Sequence, residues 1–170
     1  MLYSRQHVAC RRAFRRDTLA VQQISTLIIR DIEGLTVALV EVKGGSHSSV
    51  DRAEGIRRNV LAHYSGAATP YFVYLSQTTG YIWKREPTRE PDDKRVRPPD
   101  GEFSLVEVVC EYLPATTSST TYSGSQLELI YYQWLSDLAD GIPVSNDATR
   151  KTLSETGFLA AIQGASILGE

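Results

Sequence analysis

The sequence predicts an α/β protein built around a mixed β-sheet, and three observations lead to this prediction. Two apolar runs of strand length, Ile24–Ile29 and Leu35–Lys43, flank the turn signal DIEG at 31–34 and are expected to form a hairpin. The segment Val50–Tyr64 carries apolar residues at helical spacing. The apolar run Tyr71–Leu75 follows, so that strand, helix and strand are expected to make a right-handed βαβ unit.

The segments on either side of this core complete the predicted order. Residues 1–16 are rich in arginine and are predicted to form a basic helix. Tyr81–Trp83 follows the turn signal TTG and is predicted to pair with the preceding strand as a second hairpin. The core is therefore expected to span 24–84, within a single domain that covers 1–170.

The second half of the chain is predicted to be a polar excursion followed by helices. Residues 86–125 contain five prolines, many charges and a Ser/Thr-rich stretch, and we interpret them as an excursion and loop, with Phe103–Leu113 left open as helix or strand. Residues 126–170 are predicted to be C-terminal helices, because Leu127–Leu138 has one apolar face and Ser125 precedes it as a candidate cap.

Composition narrows the class of protein. The net charge is only −2, which excludes a surface that binds nucleic acid everywhere but leaves room for a local basic groove. The N-terminus lacks the apolar core of a signal peptide, and no apolar run is long enough to span a membrane. Cys10 and Cys110 give no sign of a disulfide framework or a zinc site. We therefore expect a cytoplasmic protein without a membrane partner.

The tripeptide Glu41-Val42-Lys43 is the most informative motif in the chain. It ends an otherwise apolar strand, and strand side chains alternate, so Glu41 and Lys43 are predicted to share one face and to point into an open cleft. A carboxylate binds divalent cations through oxygen, and a neighbouring lysine stabilises negative charge that develops on a phosphate. The alternative is a charged strand end that simply runs out into solvent.

The order of these motifs resembles the PD-(D/E)xK nuclease superfamily. The segments "VALVEVKGG" and "RRNVLAHYSGAATPYFVYLSQTTGYIWK" are similar to those of small bacterial restriction-endonuclease-like proteins that are common in cyanobacteria. The later "SQLELIYYQWLSDLADG" and the final "LSETGFLAAIQGASILGE" are similar to the same group, so the resemblance covers most of the chain from about 27 to 164. It implies an αβββαβ restriction-endonuclease-like core that binds Mg²⁺ or Mn²⁺ and cleaves DNA, with Glu41 as metal ligand and Lys43 as catalytic lysine.

The resemblance also implies a first metal-binding Asp on the first arm of the hairpin, and the sequence does not supply it there. A tight turn at 31–34 places Ile24, Ser25 or Thr26 opposite Glu41, and none of these is a carboxylate. Asp17 lies upstream and completes the site only if the chain folds back. Ser25 or Thr26 would contribute a neutral oxygen, so we expect metal to bind weakly.

Contacts with DNA, a hypothetical partner, are expected from basic side chains near this site. Arg57 and Arg58 lie on the predicted helix after the motif, and Lys84 ends the Tyr81–Trp83 strand. The alternative is a solvated helix face, with the aromatic hairpin packed in the core. The sequence therefore leaves open a metal-dependent DNA endonuclease, a catalytically degenerate binding or assembly module with a protein partner or a second copy, and a purely structural protein.

Overall fold

The described part of the chain is an α/β fold around one six-stranded mixed sheet. The structure is a computed structural model, and it describes residues 24–45, 49–63, 69–85, 96–113, 121–143 and 146–169. Its strands are β1 (Ile24–Arg30), β2 (Thr36–Lys43), β3 (Tyr71–Leu75), β4 (Thr79–Lys84), β5 (Gly101–Ser104) and β6 (Ser166–Gly169). They lie in the order β5-β4-β3-β2-β1-β6, in which only β2 and β3 are parallel.

Five helices accompany this sheet in the described ranges. They are α1 (Val50–His63), α2 (Val106–Tyr112), α3 (Gly124–Ala139), α4 (Asp147–Glu155) and α5 (Phe158–Ala161). Helix α1 makes the crossover between the parallel strands β2 and β3 and covers one face of the sheet, where Ala53 packs against Leu39 and Phe72. The other face carries the larger core, in which Val40 and Val42 pack with residues of α2 to α5.

The predicted hairpin, crossover helix and third strand are confirmed. Strands β1 and β2 pair antiparallel, and β2 lies beside β3 in parallel register. Asp31 fixes the turn between β1 and β2, because its Oδ1 accepts hydrogen bonds from the backbone N–H groups of Glu33 and Leu35, each at 2.9 Å. Gly34 completes the turn with a φ of 80°, a conformation that favours glycine. The predicted pairing of β3 with a second hairpin arm, β4, is also confirmed.

The structure settles one open alternative in the second half and differs from the prediction in another part. Phe103–Leu113, left open as helix or strand, contains the end of β5 and all of α2, because Phe103, Leu105 and Val109 bury their side chains in the larger core. The end of the chain, predicted to be helical, forms β6, which pairs antiparallel with β1. A four-residue edge strand has too short an apolar pattern to be separated from a helix by periodicity.

The start of α3 and the state of one cysteine are further corrections. Ser123 rather than Ser125 caps α3, in a capping box whose other member is Gln126. Cys110 in α2 is disulfide-bonded, contrary to the expectation from two widely separated cysteines. The predicted helix at 1–16 lies outside the described residues. Within the described ranges, no helix combines the length and apolar character needed to cross a membrane.

Candidate functional site

Glu41 and Lys43 lie together at the end of β2, on the face covered by α1. Their neighbours Val40 and Val42 belong to the larger core on the opposite face, whereas Leu39 packs on the α1 face. The two-residue spacing therefore brings both charged side chains to the same side, as the alternation of a strand requires. Lys43 Nζ lies 3.2 Å from Glu41 Oε1, so the two side chains form a salt bridge.

Thr26 is the residue of β1 that lies opposite Glu41. The register pairs Thr26 with Glu41, and the Thr26 hydroxyl donates a hydrogen bond of 2.8 Å to Glu41 Oε2. Each oxygen of the carboxylate therefore has a partner, Lys43 on one side and Thr26 on the other. The register prediction is confirmed for one of its three candidates, and the position where the resemblance implies an Asp holds a threonine.

Burial distinguishes this site from the predicted open cleft. Glu41 is 1 % exposed and Lys43 is 6 % exposed, so neither charge is freely hydrated. Two buried charges are tolerated when they are paired and hydrogen-bonded, because their attraction offsets the loss of hydration. The prediction of an open cleft is therefore wrong, and the tripeptide ends in an enclosed ion pair.

The site continues as a polar row across the sheet. Tyr74 of β3 pairs with Glu41, Tyr81 of β4 pairs with Tyr74, and Glu102 of β5 pairs with Tyr81. Burial, followed by the charge of Glu102, raises the pKa of Tyr81, so its hydroxyl keeps its proton at neutral pH. The two tyrosines of this row add no cation and no carboxylate to the Glu41–Lys43 pair.

The described residues do not assemble a recognisable metal site. No group of three or more His, Cys, Asp or Glu side chains within these ranges has a geometry that would hold a metal ion. Asp17, the upstream candidate ligand, lies outside the described residues. The Thr26 hydroxyl supplies no negative charge, and hard cations such as Mg²⁺ depend on anionic oxygens.

A second buried ion pair lies on α1, and the sequence reasoning did not anticipate it. Arg57 donates from Nε to Glu54 Oε2 at 2.7 Å and from the guanidinium NH₂ to Oε1 at 2.8 Å. Its guanidinium also lies 5.9 Å from the ring of Trp83, within cation–π range. Arg57 is only 3 % exposed, so the expectation that it faces a DNA phosphate is wrong. The i, i+3 spacing of Glu54 and Arg57 on the predicted helix is the sequence feature from which this ion pair could have been predicted.

The other predicted contact residues are exposed but lie apart from the ion pair. Arg58 is on the outer side of α1. Lys84 ends β4 on the opposite face of the sheet, with its ammonium 6.0 Å from the ring of Tyr71. The aromatic side chains of β3 and β4 are buried, so their interpretation as core packing is confirmed. The structure therefore joins Glu41 with Lys43 and separates Lys84 from them.

Comparisons with known proteins leave this site to be interpreted from its own geometry. No family model, no curated protein and no solved structure matches the chain.

Proposed function

We propose that this chain is a degenerate relative of the PD-(D/E)xK nucleases, which acts as a binding or assembly module and does not cleave DNA. The observation that carries the proposal is the enclosure of Glu41, whose two carboxylate oxygens are held by Thr26 and Lys43 in a buried site. The acid and the lysine that would perform catalysis instead pair with each other, and the hydrogen bond from Thr26 to Glu41 joins β1 to β2.

Three features support the relationship to these nucleases. A hairpin, a crossover helix and a parallel strand occur in the order that the resemblance implies. The Glu-x-Lys motif ends the second arm of the hairpin. The first arm places Thr26 opposite the glutamate, at the position where the resemblance implies a metal-binding Asp. Replacement of that acid by a hydroxyl explains why the geometry can persist without a metal.

The chemical argument against turnover rests on charge and hydration. Binding a divalent cation to Glu41 would require Lys43 to move away, because an ammonium 3.2 Å from the same carboxylate repels the metal. A substrate phosphodiester would also need access to a site in which the two charged residues are 1 % and 6 % exposed. Both requirements raise the cost of forming a metal-bound complex.

Our hypothesis is that the module binds DNA. Exposed basic side chains such as Arg58 would contact the phosphates of the DNA backbone. Binding through a local basic face of this kind should be weak, and its affinity should fall as the salt concentration rises. An alternative partner is a second copy of the chain or another protein, which would bind with little salt dependence. Fluorescence anisotropy with a labelled duplex at several salt concentrations separates these outcomes.

A metal-dependent endonuclease is the second candidate, and one observation favours it. Glu41 and Lys43 are both present, on one face and within contact distance, as the chemistry of a metal-assisted phosphodiester hydrolysis would require. Under this alternative Glu41 would bind Mg²⁺ or Mn²⁺, Lys43 would stabilise the attacking group, and Asp17 would be the first residue to test as a further ligand.

Plasmid cleavage with Mg²⁺ or Mn²⁺ tests the proposal directly. Wild type should show no cleavage above that of Glu41→Ala and Lys43→Ala, whereas both variants should lose thermal stability because each leaves a buried charge unpaired. Robust cleavage by wild type that disappears in both variants would overturn the degenerate assignment. Cleavage that also disappears in Asp17→Ala would identify the missing ligand.

A further inference from the structure

A second candidate site lies on the face of the sheet opposite Glu41. It is a cavity of about 280 Å³ lined by Lys84, Asp100, Thr152, Glu155 and Thr156. Lys84 comes from the end of β4, Asp100 precedes β5, and the remaining three belong to α4 or follow it directly. This cavity shares no lining residue with the Glu41–Lys43 pair.

Hydrogen bonds hold the walls of this cavity in place. The backbone N–H of Lys84 donates to Asp100 Oδ2 at 2.6 Å, and the Tyr71 hydroxyl donates to the carbonyl oxygen of Thr156 at 3.2 Å. Gly157 follows α4 with a φ of 77°. A Cβ at this glycine would lie 3.6 Å from Lys84 Nζ and 3.2 Å from the Tyr71 hydroxyl, so glycine keeps the space beside the ammonium open.

The charges around the cavity are unevenly paired. Asp100 pairs with Arg97 at 3.0 Å, and Glu155 lies 3.8 Å from Lys151. Lys84 makes no salt bridge to any described residue, and its ammonium lies instead beside the Tyr71 ring. An anionic group of a ligand would therefore find its complement at Lys84.

The remaining lining groups are hydrogen-bond acceptors. The Thr152 hydroxyl donates to the carbonyl oxygen of Ala148, and the Thr156 hydroxyl donates to that of Thr152 or Leu153. Since these protons are used within the helix, each hydroxyl oxygen has a lone pair with which it can accept a further hydrogen bond. Together with the carboxylates of Asp100 and Glu155, they complement a ligand group that is rich in donors and positively charged.

We propose that this cavity binds a small zwitterion, of which a free α-amino acid is the simplest class. Its carboxylate pairs with Lys84, and its ammonium group lies among the Thr152 and Thr156 hydroxyl oxygens and the Glu155 carboxylate. A lone anion such as phosphate satisfies only Lys84 and meets two carboxylates, which disfavour it. The volume of about 280 Å³ lies near the lower end of the range for small-molecule sites, which suits a metabolite of this size.

NMR titration of the full chain tests this inference. The probes are the free L-amino acids, added one at a time, then the N-acetyl and carboxamide derivatives of any that bind, and inorganic phosphate. We expect at least one free amino acid to give saturable shifts at Lys84, Asp100 and Gly157. Blocking either charged group of the ligand should weaken binding about tenfold or more, because a charge-assisted contact is lost.

Variants of the lining residues test which residue contacts each charged end of the ligand. Lys84→Met should weaken binding about tenfold or more. Glu155→Gln should weaken it to a smaller extent, because the Glu155 side chain is 67 % exposed and water screens its charge. Arg150→Met is the matched control on α4, since Arg150 is exposed, pairs with Asp147 and does not line the cavity. It should bind as wild type does.

Three outcomes would overturn the inference. The first is that no free amino acid gives saturable shifts up to roughly 10 mM, which would leave an affinity too weak for a specific site. The second is that phosphate or an N-acetyl derivative binds as well as the free amino acid, which would indicate a simple anion site. The third is that Lys84→Met, with its fold intact by circular dichroism, binds unchanged.

Discussion

Replacing Thr26 by aspartate should convert the buried ion pair into a metal site. The Thr26 hydroxyl lies 2.8 Å from Glu41 Oε2, so an aspartate at this position places a second carboxylate close to the first. Two carboxylates about 4 Å apart repel by about 4 kcal/mol at an effective dielectric constant near 20. Lys43 remains beside Glu41 and offsets part of this repulsion.

The expected result is a stability that depends on metal. Without a divalent cation, Thr26→Asp should lower the free energy of unfolding by about 2–4 kcal/mol, because one of the two buried carboxylates lacks a cation. With Mn²⁺ at about a hundred times its dissociation constant, the variant should recover about 2.7 kcal/mol, since binding to the folded state alone adds this amount. Wild type should gain little.

Urea unfolding of wild type, Thr26→Asp and Thr26→Asn over a Mn²⁺ titration measures this difference. Thr26→Asn is the matched control, because it has nearly the same shape as aspartate without the charge. If Thr26→Asp unfolds at the same urea concentration with and without Mn²⁺, a carboxylate at position 26 does not complete a metal site with Glu41. If Thr26→Asn responds to Mn²⁺ as strongly as Thr26→Asp, a carboxylate at position 26 is not what binds the metal.

Three further predictions concern packing and ionisation. Lys43→Met should lower the free energy of unfolding by about 3–5 kcal/mol, because it leaves Glu41 charged and buried. Adding Glu41→Gln should restore part of this lost stability. A double variant whose loss equals the sum of the two single losses would contradict the coupling between the two residues. Gly80→Ala should cost about 1–3 kcal/mol in urea unfolding, because its Cβ would lie 2.3 Å from the Phe103 ring, whereas Gly55→Ala, with nothing within 4 Å, should be neutral or stabilising. Burial, followed by the hydrogen bond to Asp137, raises the pKa of Tyr112 well above its usual 10, so this residue stabilises the fold fully below pH 10 and loses that contribution as pH rises towards the folded value. Tyr112→Phe should therefore lose less stability between pH 9 and 11 than wild type, measured against Tyr132→Phe, whose side chain is exposed; equal losses would refute the assignment.

Local patterns determined the first half of the fold. The turn signal at 31–34, with Asp31 bonded to the backbone of Glu33 and Leu35, predicted the hairpin. Because side chains alternate along a strand, the sequence also predicted that Lys43 lies on the same side as Glu41. The turn left Ile24, Ser25 or Thr26 opposite Glu41, and the structure, whose register shifts between Ile29 and Arg30, places Thr26 there.

The tertiary structure decided which charges are accessible. Glu41, Lys43 and Arg57 have the composition of an exposed polar site, yet each is buried in the folded protein. Alternation along β4 places Lys84 on the face opposite Glu41, and the packing of α4 against that face brings Thr152 and Glu155 to the same cavity as Lys84. Helix and strand periodicity state which side of an element a residue occupies, whereas burial depends on which distant element covers that side. The motif was therefore determined by the sequence alone, but its enclosure was decided only when elements far apart in the chain packed together.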